Sequence, residues 1–338
     1  MSEDKVLKSW NDKQKLDKKQ ARKLVWKTRL SIGFAVVRVL FIIFLLYTAY
    51  MLTISIYYNQ SGNSQDFERF VSTLVETRNP GISVEWDRFD TEISPLLTQK
   101  TSATLYRHIG DWEVAVGEVT AEKILFNPIY YSIEYNNKYI NESSPYYVVP
   151  PDLLGRNFEV EADNSLLSQL EKMEDGYVVQ VLLSTKKGMD PEALRKILSA
   201  YDIEIYQMPI YAGELTNFEV NNFGSSNHVS VDSLMLRPQI VYGEENSWTS
   251  RLRSLTDQES LKKSVAQVPK DLEWLVDQRN YFDKETDVKR LAYIKENGIQ
   301  VYGATVTGPV REIERLMEEE MLHQFQLGGI EVWNWTEK

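Results

Sequence analysis

Residues 39–58, VLFIIFLLYTAYMLTISIYY, run for twenty positions without a charge. As a helix, such a run is about 30 Å long, the thickness of the hydrocarbon core of a bilayer. No soluble fold easily accommodates it, so the chain divides into a head before the run and a body after it. SIGFAVV extends the apolar run backwards past Arg38, whose guanidinium can snorkel to the head groups. Tyr47, Tyr50, Tyr57 and Tyr58 lie in its second half, and the last of these suit an interfacial belt. A cleaved signal peptide would have a shorter apolar core and small residues at its end, whereas SIYYNQSG closes the run here. The expectation is a retained anchor over 30–58.

Charge orients it. Residues 1–29 hold ten Lys or Arg against four acids, while residues 59–338 carry −18 of the whole-chain −11. A basic head before the span predicts a cytoplasmic N-terminus, a single membrane crossing and an extracytoplasmic bulk. The acidic bulk argues against a nucleic-acid partner.

The chain has no cysteine, which excludes disulfide frameworks, thiolate metal sites and cysteine nucleophiles. This fits a compartment where disulfides are not used as staples. His108, His228 and His323 are too far apart in sequence for a His-x-His or His-xxx-His ligand pair and read as packed histidines. No GxSxG or HExxH motif and no DxDxDG calcium loop occurs. The expectation is a non-enzyme with no metal, no cofactor and no small-molecule substrate.

The head, MSEDKVLKSWNDKQKLDKKQARKLVWKTR, is too short to bury a core of its own. One reading is a solvated basic leader that sets topology and touches the lipid bilayer. The other is a helix that folds on a cytoplasmic partner, with Val6, Trp10, Leu16, Leu24 and Trp26 as contacts.

Beyond the span, FERFVSTLVETR (67–78) has apolar residues at helical spacing, and NPG ends it. Then ISVEWDRF, TSATLYRHI, WEVAVGEV and AEKILF alternate as strands, with Gly110-Asp111 as a hairpin turn. A Tyr- and Pro-rich stretch, 127–151, reads as the cover of a domain junction. Further on come a helix over 162–174, a strand over 177–185, a helix over 190–201 capped by Asp190, and a strand over 202–212. Residues 213–270 read as a polar, turn-rich insertion, and helices resume at Pro269. IQVYGATVTG (299–308), PVREIERLMEEEM (309–321) and GGIEVWNW (328–335) read as strand, helix and strand. Two strand–helix–strand units predict a ferredoxin-like sandwich. Gly308-Pro309 could be taken for a phosphate loop. However, Pro309 removes an N–H from the first helical turn and no lysine comes after it in the right place, so both residues read as a structural turn.

The fold class expected is α+β: one transmembrane helix, a small antiparallel membrane-proximal region and a C-terminal sandwich of two βαβ units. The regions are 1–29, 30–58, 59–150 and 151–338.

YIKENGIQVYGATVTGPVREIERLM…LGGIEVWNW (293–335) resembles the C-terminal domain of the bacterial sigma-factor-regulator family. EDGYVVQVLLSTKKGMDPEALRKIL (174–198) is similar to an earlier part of that domain, and residues 23–58 to the family's N-terminal module. The resemblance implies a single-pass membrane anti-sigma factor whose cytoplasmic segment restrains an extracytoplasmic-function sigma factor in response to envelope state. The head has neither cysteine nor histidine, so a zinc-ligated anti-sigma fold is excluded. The partner implied is a sigma factor or a second membrane regulatory protein. The alternative is an anchored extracellular binding or assembly module with no role in transcription.

Overall fold

The computed structural model describes residues 18–59, 63–85, 88–124, 128–136, 145–156, 166–225, 228–243, 248–278 and 281–336. The chain forms two compact units, 1–60 and 61–338.

Among the described residues the first unit is one helix, α1 (Lys18–Asn59), of 42 residues. It is long and apolar enough to cross a membrane. At 1.5 Å per residue it measures about 63 Å, roughly twice a hydrocarbon core. It therefore also takes in basic residues that the sequence assigned to the head. Its threonines do not interrupt it, because each hydroxyl donates back to its own helix: Thr28 to the Leu24 carbonyl, Thr48 to Phe44 and Thr53 to Ala49, at 2.8–2.9 Å.

The second unit opens with α2 (Asn63–Arg78), then β1 (Ser83–Val84), β2 (Asp90–Ile93), β3 (Gln99–Ile109), β4 (Trp112–Lys123) and β5 (Tyr130–Tyr135). These strands form an antiparallel sheet in the order β1-β3-β4-β5, with β2 also on β3. Ile109 pairs with Trp112 across Gly110-Asp111, and Gly110 has φ +60°, as a two-residue hairpin requires. Phe67, Phe70, Val71, Leu74 and Val75 of α2 pack on Val84, Leu105, Val116 and Val119 of this sheet. Where alternation predicted a strand over 82–89, only Ser83–Val84 is one among the described residues. The two strands expected over 112–126 are the single strand β4.

The remainder comprises α3 (Leu167–Leu170), β6 (Tyr177–Met189), α4 (Pro191–Leu198), β7 (Glu204–Tyr211), β8 (Asn222–Ser225), β9 (His228–Val231), β10 (Leu234–Leu236), β11 (Ile240–Tyr242), β12 (Trp248–Arg251), α5 (Gln258–Asp277), α6 (Lys284–Asn297), β13 (Gln300–Pro309), α7 (Val310–Leu316) and β14 (Leu322–Val332). The second sheet runs β10-β7-β13-β6-β14 with every pair antiparallel. β6 and β7 are thus parallel to each other with β13 between them, and β13 and β14 are parallel with β6 between them. The two strand–helix–strand units interleave, so neither completes a sheet without the other. Leu194, Leu198, Val310, Ile313 and Leu316 of α4 and α7 cover one face, against Val179, Val181, Ile205 and Val306. On the other face, Tyr147 and Val149 from the Tyr-rich stretch pack on Leu182 and Tyr302, while Ile109 from the hairpin tip packs on Val178.

Several expectations change in this half. The helix expected over 162–174 is Leu167–Leu170 among the described residues, which exclude 157–165. α5 begins at Gln258, capped by Asp257, whose carboxylate accepts from the Ser260 N–H at 2.8 Å, and it runs through Pro269. The proline removes one helical hydrogen bond, but Leu261, Val268 and Leu272 keep their face on the core, and that burial prevails. α7 stops at Leu316 and β14 starts at Leu322, because the ladder with β6 already engages Leu322 and His323. Gly328-Gly329, read as the start of the last strand, lies inside β14 at a register shift. A Cβ on Gly328 would meet Gln180 Oε1 at 2.4 Å, and one on Gly329 would meet Ile109 Cδ1 at 2.4 Å. Gly328 makes room for the Gln180 side chain of the neighbouring strand β6, and Gly329 lets Ile109 of the first sheet approach the second.

Candidate functional site: the charged seam around α2

α2 is buried on both sides, and its two sides differ. Opposite the apolar face lie Arg69, Ser72, Thr73 and Glu76, spaced three and four apart and therefore on one stripe. Ser72, Thr73 and Glu76 are buried.

Glu76, 1% exposed, is the centre. One carboxylate oxygen accepts from Arg237. The other accepts from Arg251 Nη1 at 2.8 Å and from the Val84 N–H at 2.9 Å. Burial pushes the Glu76 carboxyl up, but the charges of Arg251 and Arg237 and the Val84 hydrogen bond more than reverse this, leaving it below the usual carboxylate value. Arg237 also donates to Thr73 Oγ1 at 3.1 Å and to Asp271 at 3.2 Å. Arg69 lies between the rings of Tyr242 and Trp274, its guanidinium carbon 4.1 and 4.0 Å from their centroids, with Asp271 at 3.7 Å.

A second cluster holds the C-terminal end of α2. Arg78 donates to Asp287 at 2.7 Å and Asp283 at 3.3 Å. Asp287 also accepts from Tyr281 Oη at 2.8 Å and faces Arg290, whose Nε donates to the fully buried Glu214 at 2.9 Å. Asp283 occupies the cap position of α6 with φ +68°, yet makes no capping bond; its carboxylate is turned to Arg78 instead. A cleft of about 580 Å³ lies here, lined by Arg78, Tyr131, Asp232, Phe282, Asp283 and Arg290.

Two glutamines of the second sheet pin the turn at the end of α2. Gln207 accepts from the Gly81 N–H at 2.6 Å and donates to the Glu76 and Ile82 carbonyls at 3.2 and 3.0 Å. Gln180 donates to the Gly81 and His108 carbonyls at 3.3 and 3.1 Å. Burial pushes the imidazoles of His108 and His323 down to about 3 and about 4, so both are neutral packed groups. Among the described residues, no group of three or more His, Asp or Glu could hold a metal ion. The arginines and carboxylates of the seam are engaged with one another, so what this arrangement can do is hold α2 against residues far along the chain.

Sequence reading missed this seam. The available signal was a polar stripe at i, i+3, i+4 and i+7, charged at both ends, on a helix with a complete apolar face, but nothing in the sequence says that such a stripe is covered.

Of the expected partner contacts, Val6, Trp10 and Leu16 lie outside the described residues. Leu24 and Trp26 are 63% and 70% exposed on α1. Residues two apart on a helix are about 200° apart, so they sit on opposite faces and are not brought together. Trp26 shares a shallow depression with Leu30, Lys19, Arg22, Lys23 and Lys27. Gly308 and Pro309 pair with Val179 and Val178 as the last residues of β13, and α7 starts at the next residue. A Cβ on Gly308 would lie 2.9 Å from the Asp202 carbonyl oxygen and 2.8 Å from Ile203 Cγ2, so the glycine serves a close approach.

Residues 18–114 match the N-terminal domain model of the sigma factor regulators, and residues 170–329 match the C-terminal one. The probable anti-sigma-M factor YhdL of Bacillus subtilis (strain 168) is 23% identical over 285 residues, 83% of this chain and 74% of that protein. No solved structure matches. The seam joins the two matched regions: Arg69, Glu76 and Arg78 lie in the first, and Arg237, Arg251, Asp271 and Asp287 in the second. With both of its domains present in order, the chain belongs to the sigma-factor-regulator family.

Proposed function

We propose that this protein is a membrane-anchored anti-sigma factor. Its cytoplasmic N-terminal segment restrains an extracytoplasmic-function sigma factor, and the part beyond the span responds to envelope state. The observation that carries the reading is a basic head before an uncharged span, joined to both domains of a sigma-regulator family. The likeness to a probable anti-sigma factor supports it. In this reading residues 1–29 are cytoplasmic, 30–58 cross the membrane, and 59–150 and 151–338 lie outside. α1 carries the head's helix out of the membrane without a break, so Trp26 and its surrounding lysines extend toward the cytoplasm, and Leu24 serves a second face. The family is regulatory, and the paired charges of the seam suit signal transmission.

The test is co-purification from membranes with the full-length tagged chain. A sigma factor is expected with the wild type and is lost when residues 1–29 are exchanged for a neutral leader of preserved topology. Equal recovery of nothing but background from both would sink the reading.

A further inference from the structure

We propose that the polar face of α2 is a seam that opens locally while its apolar face stays on the first sheet. It is thus the regulated joint between the two matched domains. The inference rests on the anti-sigma reading for what the joint serves, not for its existence.

The asymmetry of α2 carries it. On one side Phe67, Phe70, Val71, Leu74 and Val75 join a continuous apolar cluster with the first sheet. Separating that side would expose hydrocarbon to water with nothing in return. On the other side Arg69, Thr73 and Glu76 meet Arg237, Tyr242, Arg251 and Asp271. Separating this side returns buried charges to water, and their recovered hydration offsets most of the lost attraction. Opening therefore runs along the ion pairs. Its ends are defined: Gln207 and Gln180 hold the 79–81 turn to the second sheet as a pivot, and Leu275 and Tyr281 supply apolar contacts with α2 from α5 and the residues before α6. Only residues 60–62 separate α2 from α1 in sequence, so α2 is the first element after the membrane helix through which such a change would pass.

The chain's lack of cysteine makes the test direct. Thr73 and Val75 are both fully buried but face opposite ways, Thr73 to Arg237 and Val75 to the first sheet. Thr73→Cys and Val75→Cys are made separately in the full-length chain, and maleimide labelling rates are measured in native membranes. Local opening predicts that the cysteine at 73 reacts at least about tenfold faster than that at 75. Adding Glu76→Gln should widen this ratio. Equal rates mean that only global unfolding exposes α2 and overturn the seam. A ratio unmoved by Glu76→Gln overturns the ion pairs as what holds it shut. Because labelling reads only the outer unit, its failure leaves the co-purification result standing, and the converse also holds.

Discussion

Arg237 and Glu76 stand 161 positions apart in sequence and form a buried ion pair, their side chains 5% and 1% exposed. The pair joins the loop after β10 to the polar face of α2, and Arg251 and Asp271 complete its charge balance.

Glu76→Gln takes the carboxylate from Arg251 and leaves buried Arg237 with that of Asp271 alone. Removing one partner of a buried pair costs about 3–5 kcal/mol. Thermal unfolding of the detergent-solubilised chain should show a clear fall in midpoint, and an unchanged midpoint would contradict the burial described.

Arg78→Ala should act at the other end of the helix. It strips the strongest bond from Asp287, which is 1% exposed, and releases Asp283 from its left-handed position. The expected loss is about 2–4 kcal/mol. Amide exchange should rise first at residues 281–290 and at the end of α2.

Gly308→Ala places a methyl against the Asp202 carbonyl and should cost about 1–3 kcal/mol. Gly176→Ala, with nothing within 4 Å of its Cβ, is the neutral control. If denaturant midpoints of the two variants coincide, the close approach is not real.

Acid should weaken the second unit in a defined window. His323 is held neutral with its pKa down at about 4, against an ordinary value of 6.5. The unfolded chain therefore binds the extra proton between these values, and stability, complete above pH 6.5, falls as the pH drops toward 4. A single such group contributes about 1.4 kcal/mol per pH unit within that window. His323→Gln should reduce the slope of stability against pH between 6.5 and 4 by about one proton.

Trp26→Ala should leave the unfolding midpoint unchanged, because Trp26 is 70% exposed. Sigma-factor recovery in membrane co-purification should drop by about tenfold or more, as for an aromatic anchor. Leu24→Ala on the opposite face reports whether that face is also used.

Composition and periodicity determined much of this protein. The uncharged run at 39–58 required a long apolar helix, because no other element hides twenty such residues. Asp190-Pro191 marked the start of α4, and the Asp190 carboxylate does accept from the Glu192 N–H at 2.8 Å. Gly110-Asp111 marked the hairpin, because a left-handed φ in a two-residue turn favours glycine. All of these depend on neighbours in sequence. The interleaving of the two strand–helix–strand units, the close approaches at Gly328 and Gly329 and the cover over Glu76 were decided only in three dimensions. At the glycines and at Glu76 the deciding partner lies well over a hundred residues away: Gln180 for Gly328, Ile109 for Gly329, Arg237 for Glu76. A charged stripe on a helix reads the same whether water or arginine meets it, and only packing decides which.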